Sequence, residues 1–343
     1  MNNNHKISSK GNLLDETGAL IEAGWSDEFI LNYSPNMVAK SKKMRLKEWD
    51  YYHIINSEGK YAISFTFADN RYMGLVSCCV FDFETKEKFD CTETLVLPKG
   101  KMNLPRTSEH GNISFKSDSC SFNIDRNSEG RHIYCKYDTT FTHTQVEADF
   151  YLKQPPMDSI VMATPWKEDK KAFYYNQKIT CMPADGCVKI KGRTYTFDSS
   201  KDFGILDWGR GVWTYDNTWY WGIGCSYVNG KPFGYNLGYG FGDTTSASEN
   251  ILFYDGKGHK LDRVDFGIPD NAFEEWSITS SDNRFNASFT PFFNDRTDIS
   301  AGIISQHADK LFGFINGTAI LDDGTEIKME NIPAFHEKVH NKW

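Results

Sequence analysis

From Tyr61 onward apolar and polar residues alternate in short runs: YAISFTF, GLVSCCVFDF, ETLVLP, NISFK, SCSFNID, RHIYCKY and QVEADFYLK. Turn residues separate the runs, which is how the strands of a barrel or sandwich read. The stretch Gln154 to Lys170 (QPPMDSIVMATPWKEDK) breaks this rhythm with prolines and charge, so a connection between units is expected near residues 155–185. Strands resume with KAFYYNQK and CVKIKGRTYTFD, where Lys191-Gly192-Arg193 predicts a tight hairpin turn. They continue through WYWGIGCSYV, PFGYNLGYGF, NILFY, LDRVDF, EEWSITS, FNASFTPF, LFGFINGTAIL and TEIKM, with a last hairpin at Leu321-Asp322-Asp323-Gly324-Thr325. Helical patterning is weak and confined to residues 27–38 and 301–311. The pattern predicts an all-β chain of two consecutive barrel units, 51–170 and 171–343, preceded by a strap or lid over 1–50. That opening segment carries a basic run (Lys40, Lys42, Lys43, Arg45, Lys47) without clean periodicity.

Composition narrows the function classes. At 343 residues the chain has room for two units, and its 17 Tyr and 9 Trp exceed what packing alone requires, which suits a cavity. A net charge of -8 with no dense basic cluster argues against nucleic acid as a partner. No apolar run is long enough for a membrane helix or a signal segment, so a cytoplasmic protein without stable membrane insertion is expected. The eight cysteines form no CxxC and read as free thiols. His336 and His340 lie four apart with no third ligand nearby. No metal and no cofactor are expected.

The chemistry concentrates in DFGILDWGRGVWTYD (Asp202–Asp216) and the NTWYWGIG that follows. Trp208, Trp213, Trp219 and Trp221 cluster there with Asp207, Arg210 and Tyr215. Read as a Gly-flanked loop, the segment lets Asp207 and Arg210 meet across a turn, as a structural ion pair or as a grip on a polar ligand. Alternatively Asp207 sits at a cavity floor, where desolvation suits it to acid or base work. In RLKEWDYYH, Glu48 and Asp50 share one strand face and Trp49 takes the other, either as a second acidic wall or as a solvated edge over a core Trp. The Gly-rich strand GYNLGYGFGD, which carries Tyr239, lacks a phosphate-loop GK[ST], so its glycines imply curvature or close backbone approach. Glu249 and Asn250, at the end of the polar loop that follows it, are ligand contacts at a barrel mouth or simply a strand cap.

The order G-x-L-D-W-G-R-G-x-W-x-Y, then W-x-W-G, then the Gly-rich strand leading to Glu249-Asn250 and Asp255-Gly256-Lys257, resembles the domain of unknown function 2804 family. Arg45-Leu46-Lys47-Glu48-Trp49-Asp50-Tyr51-Tyr52 and the terminal Leu321-Asp322-Asp323-Gly324 are similar to it too, so the resemblance covers most of the chain. It implies two lipocalin-like β units, as in the carotenoid 1,2-hydratases, tocopherol cyclases and lipocalin-like Diels–Alderases. In the hydratases an acid beside a Trp-Gly pair is taken to protonate an alkene. Asp207, before Trp208-Gly209, is the matching position.

Three readings follow. The first is an enzyme that hydrates, cyclises or isomerises an apolar or amphipathic small molecule with one acid in an aromatic pocket. The second is a carrier of a lipid-like ligand. The third is a carbohydrate-active enzyme using a carboxylate pair, Asp207 with Glu249. Across these readings the candidate acids are Asp207, Glu249 and Glu48. The candidate ligand contacts are Trp49, Trp208, Arg210, Trp213, Tyr215, Trp219, Trp221, Tyr239 and Asn250.

Overall fold

The structure, a computed structural model, describes residues 4–139 and 144–343. Two large antiparallel sheets dominate it. Across the first, the strands lie in the order Glu87–Val96, Met73–Asp82, Tyr61–Asp69, Leu46–Ile55, Phe203–Val212, Phe173–Ile190, Thr144–Lys153, Gly130–Thr139, Cys120–Asn127 and Ile113–Lys116. Across the second they lie in the order Lys257–Lys260, Ile251–Tyr254, Lys231–Tyr239, Asp216–Val228, Glu326–Lys342, Ile304–Ile320, Phe285–Ala301, Trp276–Ser280 and Val264–Asp265.

Strand twist curls each sheet until its halves face each other. Inside the first, Phe65 meets Phe122 edge-on at 6.1 Å, and the Tyr137 hydroxyl donates to the Val76 carbonyl at 2.8 Å. Inside the second, Tyr235 lies 5.3 Å from Phe285. The chain is therefore almost entirely β, in two curled half-barrel sheets, as its rhythm predicts. The hairpin at Lys191-Gly192 forms with both residues at positive φ, 48° and 75°, the signature of a primed turn.

Three expectations need correction. Strand pairing passes from the first sheet to the second between Val212 and Asp216, later than residues 155–185. The proline-bearing stretch instead contributes the strand Ile160–Pro165, which pairs with Phe173–Ile190 on the first sheet. Neither weak helical pattern forms a helix: residues 301–311 sit in a long hairpin that turns at Gly302, and 27–38 hold turns and a two-residue strand. A short 3-10 helix occupies Lys40–Arg45.

The segment before Leu46 is tucked into the first unit. Leu13, Leu14, Leu31, Tyr33 and Val38 join that barrel's core, and Phe29 meets Trp208 edge-on at 5.0 Å. Apart from the two barrel cores, a third buried cluster, with Tyr174, Trp213, Trp221, Phe312 and Phe335, lies between the units.

Candidate active site

The strands Leu46–Ile55 and Phe203–Val212 run side by side, with Tyr51 opposite Asp207 and Trp49 opposite Gly209. Period-two alternation sends Trp49, Tyr51 and Asp207 toward the second unit, and Glu48, Asp50, Trp208 and Arg210 into the first barrel. Gly209 is a glycine for a local reason: a Cβ there would come 2.2 Å from Cζ2 of Trp49, so the missing side chain seats the indole.

Between the units these outward residues wall a cavity of about 260 Å³. Trp49, Trp213, Trp219, Trp221 and Trp343 line it with Tyr174 and Phe241. Tyr174 stacks on Trp49 at 5.5 Å, and Trp213 meets Trp219 edge-on at 5.3 Å.

Two carboxyl groups face this space, one from each unit. Asp207 Oδ1 lies 2.7 Å from Nζ of Lys178, its register partner, and Trp49 Nε1 donates to Oδ2 at 3.3 Å. The Lys178 ammonium also sits 4.0 Å from the centre of the Trp221 ring, a cation–π contact. Glu337 is the register partner of Trp221 and accepts a hydrogen bond from Trp219 Nε1 at 3.1 Å. Burial pushes the Glu337 carboxyl above the usual carboxylate range, against the pull of Lys310 and the Trp219 N–H. Among the described residues Glu337 enters no ion pair. Lys310, its neighbour across the sheet, instead donates to the Tyr51 hydroxyl.

Asp207, Trp49, Trp213, Trp219 and Trp221 thus converge on one cavity. The other candidates do not join them. Asp202–Asp216 contains a strand, not a loop, so residues three apart face opposite ways and Asp207 never meets Arg210. Arg210 donates to Asp50 at 2.8 Å inside the first barrel, its guanidinium 4.2 Å from the Trp208 ring centre. Glu48 is held in the same interior by Arg71 at 2.6 Å and Tyr33 at 2.7 Å, so it is neither a cavity wall nor a solvated edge.

Tyr215 is exposed and donates to the Ile303 carbonyl. Tyr239 and Asn250 line a separate groove at the mouth of the second barrel. There Asn250 accepts from the Gly238 N–H at 2.8 Å and donates to the Asp262 carbonyl at 2.9 Å, which is the strand-pinning role. Glu249 is buried off the cavity wall, accepts from Asn176 at 3.0 Å, and is pushed up by burial.

Lys178, Lys310, Glu337, Tyr174, Phe241 and Trp343 were not foreseen from the sequence. They come from parts of the chain far apart, Tyr174, Lys178, Lys310 and Glu337 on strands and Phe241 and Trp343 just beyond strand ends, and only register and barrel docking bring them to one place. The one local signal was a lone lysine in a run that is buried throughout, Lys178 in AFYYNQKIT.

Chemically, the cavity offers a carboxylate tied to an ammonium, a second carboxyl held toward its protonated form, and aromatic faces around both. That set can move a proton within a cleft walled largely by aromatic side chains. Among the described residues no helix is long and apolar enough to cross a membrane.

A family model described as domain of unknown function (DUF2804) matches residues 4–343. No curated protein matches the sequence. Solved structures similar to the chain include kievitone hydratase from Nectria haematococca, at 9% identity and a TM-score of 0.43, covering 87% of this chain and 88% of that one. An AttH-like protein from Nitrosomonas europaea is similar at 11% identity and a TM-score of 0.44, over 91% of this chain and 96% of that one. CghA with Sch210972 is similar at 9% identity and a TM-score of 0.39, over 96% of both chains.

Proposed function

The chain belongs to the DUF2804 family, and from that premise and the site geometry we propose that it is an enzyme acting on an apolar or amphipathic small molecule held between its two barrels. The reaction class is proton-transfer chemistry: hydration, cyclisation or isomerisation. The observation that carries this reading is the pair of unlike carboxyl groups on one aromatic-walled cavity.

Glu337, raised by burial and free of any ion pair, is the proton donor. Asp207, paired with Lys178, is the carboxylate that receives or steers the proton. This moves the acid role from Asp207 to the opposite wall. Indole and phenyl faces stabilise a cationic intermediate where water would otherwise quench it. The glycan reading loses support because Asp207 and Glu249 do not face a common space.

The test starts from gently purified protein, by native mass spectrometry of whatever molecule it retains. That molecule is then incubated with the protein and the products are followed. The enzyme reading expects conversion with gain of one water or with no change of mass. Glu337→Gln should abolish it with a melting curve close to that of the unaltered chain, and Asp207→Asn should abolish it with a lowered melting temperature, because it strands the buried Lys178. A molecule returned unchanged by the unaltered protein would make it a carrier and sink the proposal.

A further inference from the structure

Lys310 stands apart from the other charges of the cavity. Its two acidic neighbours across the sheet are Asp295 and Glu337. Both are engaged elsewhere: Asp295 lies 2.7 Å from Lys88, and Glu337 accepts from Trp219. Lys310 is left with no carboxylate in ion-pair range among the described residues. Its ammonium is held over rings, 4.0 Å from the centre of Phe335 and 4.5 Å from that of Tyr51.

Its one hydrogen bond goes to the Tyr51 hydroxyl. A phenol that accepts from an ammonium keeps its own O–H to donate, and donates it more strongly. Lys310 retains further N–H groups as well. Two convergent donors, one charged, therefore stand on a cavity wall that is otherwise mostly aromatic, while the cation on the Asp207 side is already neutralised. The partial burial that lowers the Lys310 amine has the same physical origin: the charge is half withdrawn from water and lacks an anion in ion-pair range.

We propose that the Lys310 ammonium and the Tyr51 hydroxyl form an acceptor-binding site for a carbonyl oxygen, so that the substrate is an apolar molecule carrying a carbonyl group. The apolar body lies against the tryptophans and the oxygen points to Lys310 and Tyr51. Held there, the oxygen fixes the orientation of the apolar body between Glu337 and Asp207. The inference rests on the enzyme reading above, of which it names the substrate class.

Two probes of one shape separate body from oxygen: 2-acetonaphthone, and 2-isopropylnaphthalene, which lacks the carbonyl. Affinity for each is read from quenching of the cavity tryptophans, in the unaltered protein, in Tyr51→Phe and in Lys310→Met. Both variants should weaken the ketone about tenfold or more, the usual worth of a hydrogen bond to a charged or polarised donor. They should change the hydrocarbon less than about twofold. Tyr51→Phe removes a single oxygen and keeps the ring, so it carries the test if Lys310→Met melts early. Equal weakening of both probes, or an unchanged ketone, overturns the acceptor site while leaving the cavity reading in place. Failure of the unaltered protein to bind either probe overturns the cavity reading, and the acceptor site with it.

Discussion

The two faces of the strand pair Leu46–Ile55 and Phe203–Val212 treat buried charge in opposite ways. On the inner face Asp50 is met by Arg210 and Arg126, and Glu48 by Arg71 and Tyr33, with Asp69 3.5 Å from Arg71. These charges compensate one another, and Tyr33 of the N-terminal segment bonds Glu48 among them. On the outer face of the same strands Asp207 meets Lys178, and across the cavity, on the second sheet, Glu337 and Lys310 have no oppositely charged group within ion-pair distance among the described residues. Buried charge that is fully paired fixes the barrel. Buried charge left short of partners is where a ligand can supply what the protein withholds.

Substitutions should separate the two faces. The largest effect is expected inside the first barrel, where Arg210→Met takes from Asp50 one of its two arginines, leaving Arg126, and should cost about 3 kcal/mol in urea unfolding. A loss below about 1 kcal/mol would show that the network is not what holds the barrel.

The second barrel's interior offers a contrast of similar size. His336 is fully buried among Tyr235, Phe266 and Phe289, and burial pushes its imidazole down to about 3. The folded value lies below the unfolded one, so its contribution is complete above pH 6.5 and is lost as the pH falls toward 3. The loss is on the order of 4 kcal/mol across that window. His336→Leu should flatten this arm of the stability curve relative to the unaltered chain; an identical slope would mean that the imidazole is not held neutral.

Gly209→Ala joins the faces. The added methyl pushes Trp49 toward the cavity, at a cost of about 1–3 kcal/mol. Weaker binding of 2-acetonaphthone should accompany it, and unchanged affinity would place the ligand away from Trp49. The smallest effect is that of Trp219→Phe, which removes the donor to Glu337 for about 1 kcal/mol or less. Loss of a donor to the carboxylate moves the ionisation of Glu337 further up, readable as an upward shift in the pH midpoint of ligand binding. A downward shift would contradict the assignment.

Much of the fold was legible because period-two patterning and turn chemistry act locally, as at Lys191-Gly192 and in the run from Tyr61 to Lys153. The unit boundary was not legible, because prolines signal any break in pairing and the strand Ile160–Pro165 needs one as much as a linker does. At the site, the cluster of Trp and Asp marked the right strand but not its face. Both faces are buried, so Asp207 and Trp208 look alike in hydrophobic pattern although they point to different interiors. Glu337, Lys310 and Lys178 were out of reach because they depend on register between distant strands and on the docking of one barrel against the other.

The most direct test is a crystal structure of the protein holding 2-acetonaphthone or the molecule it retains on purification. Density between Trp49, Trp213 and Trp219, with Glu337 and Asp207 on either side, is the expected result. Density inside the first barrel beside Arg210, or inside the second beside His336, would contradict a site between the barrels.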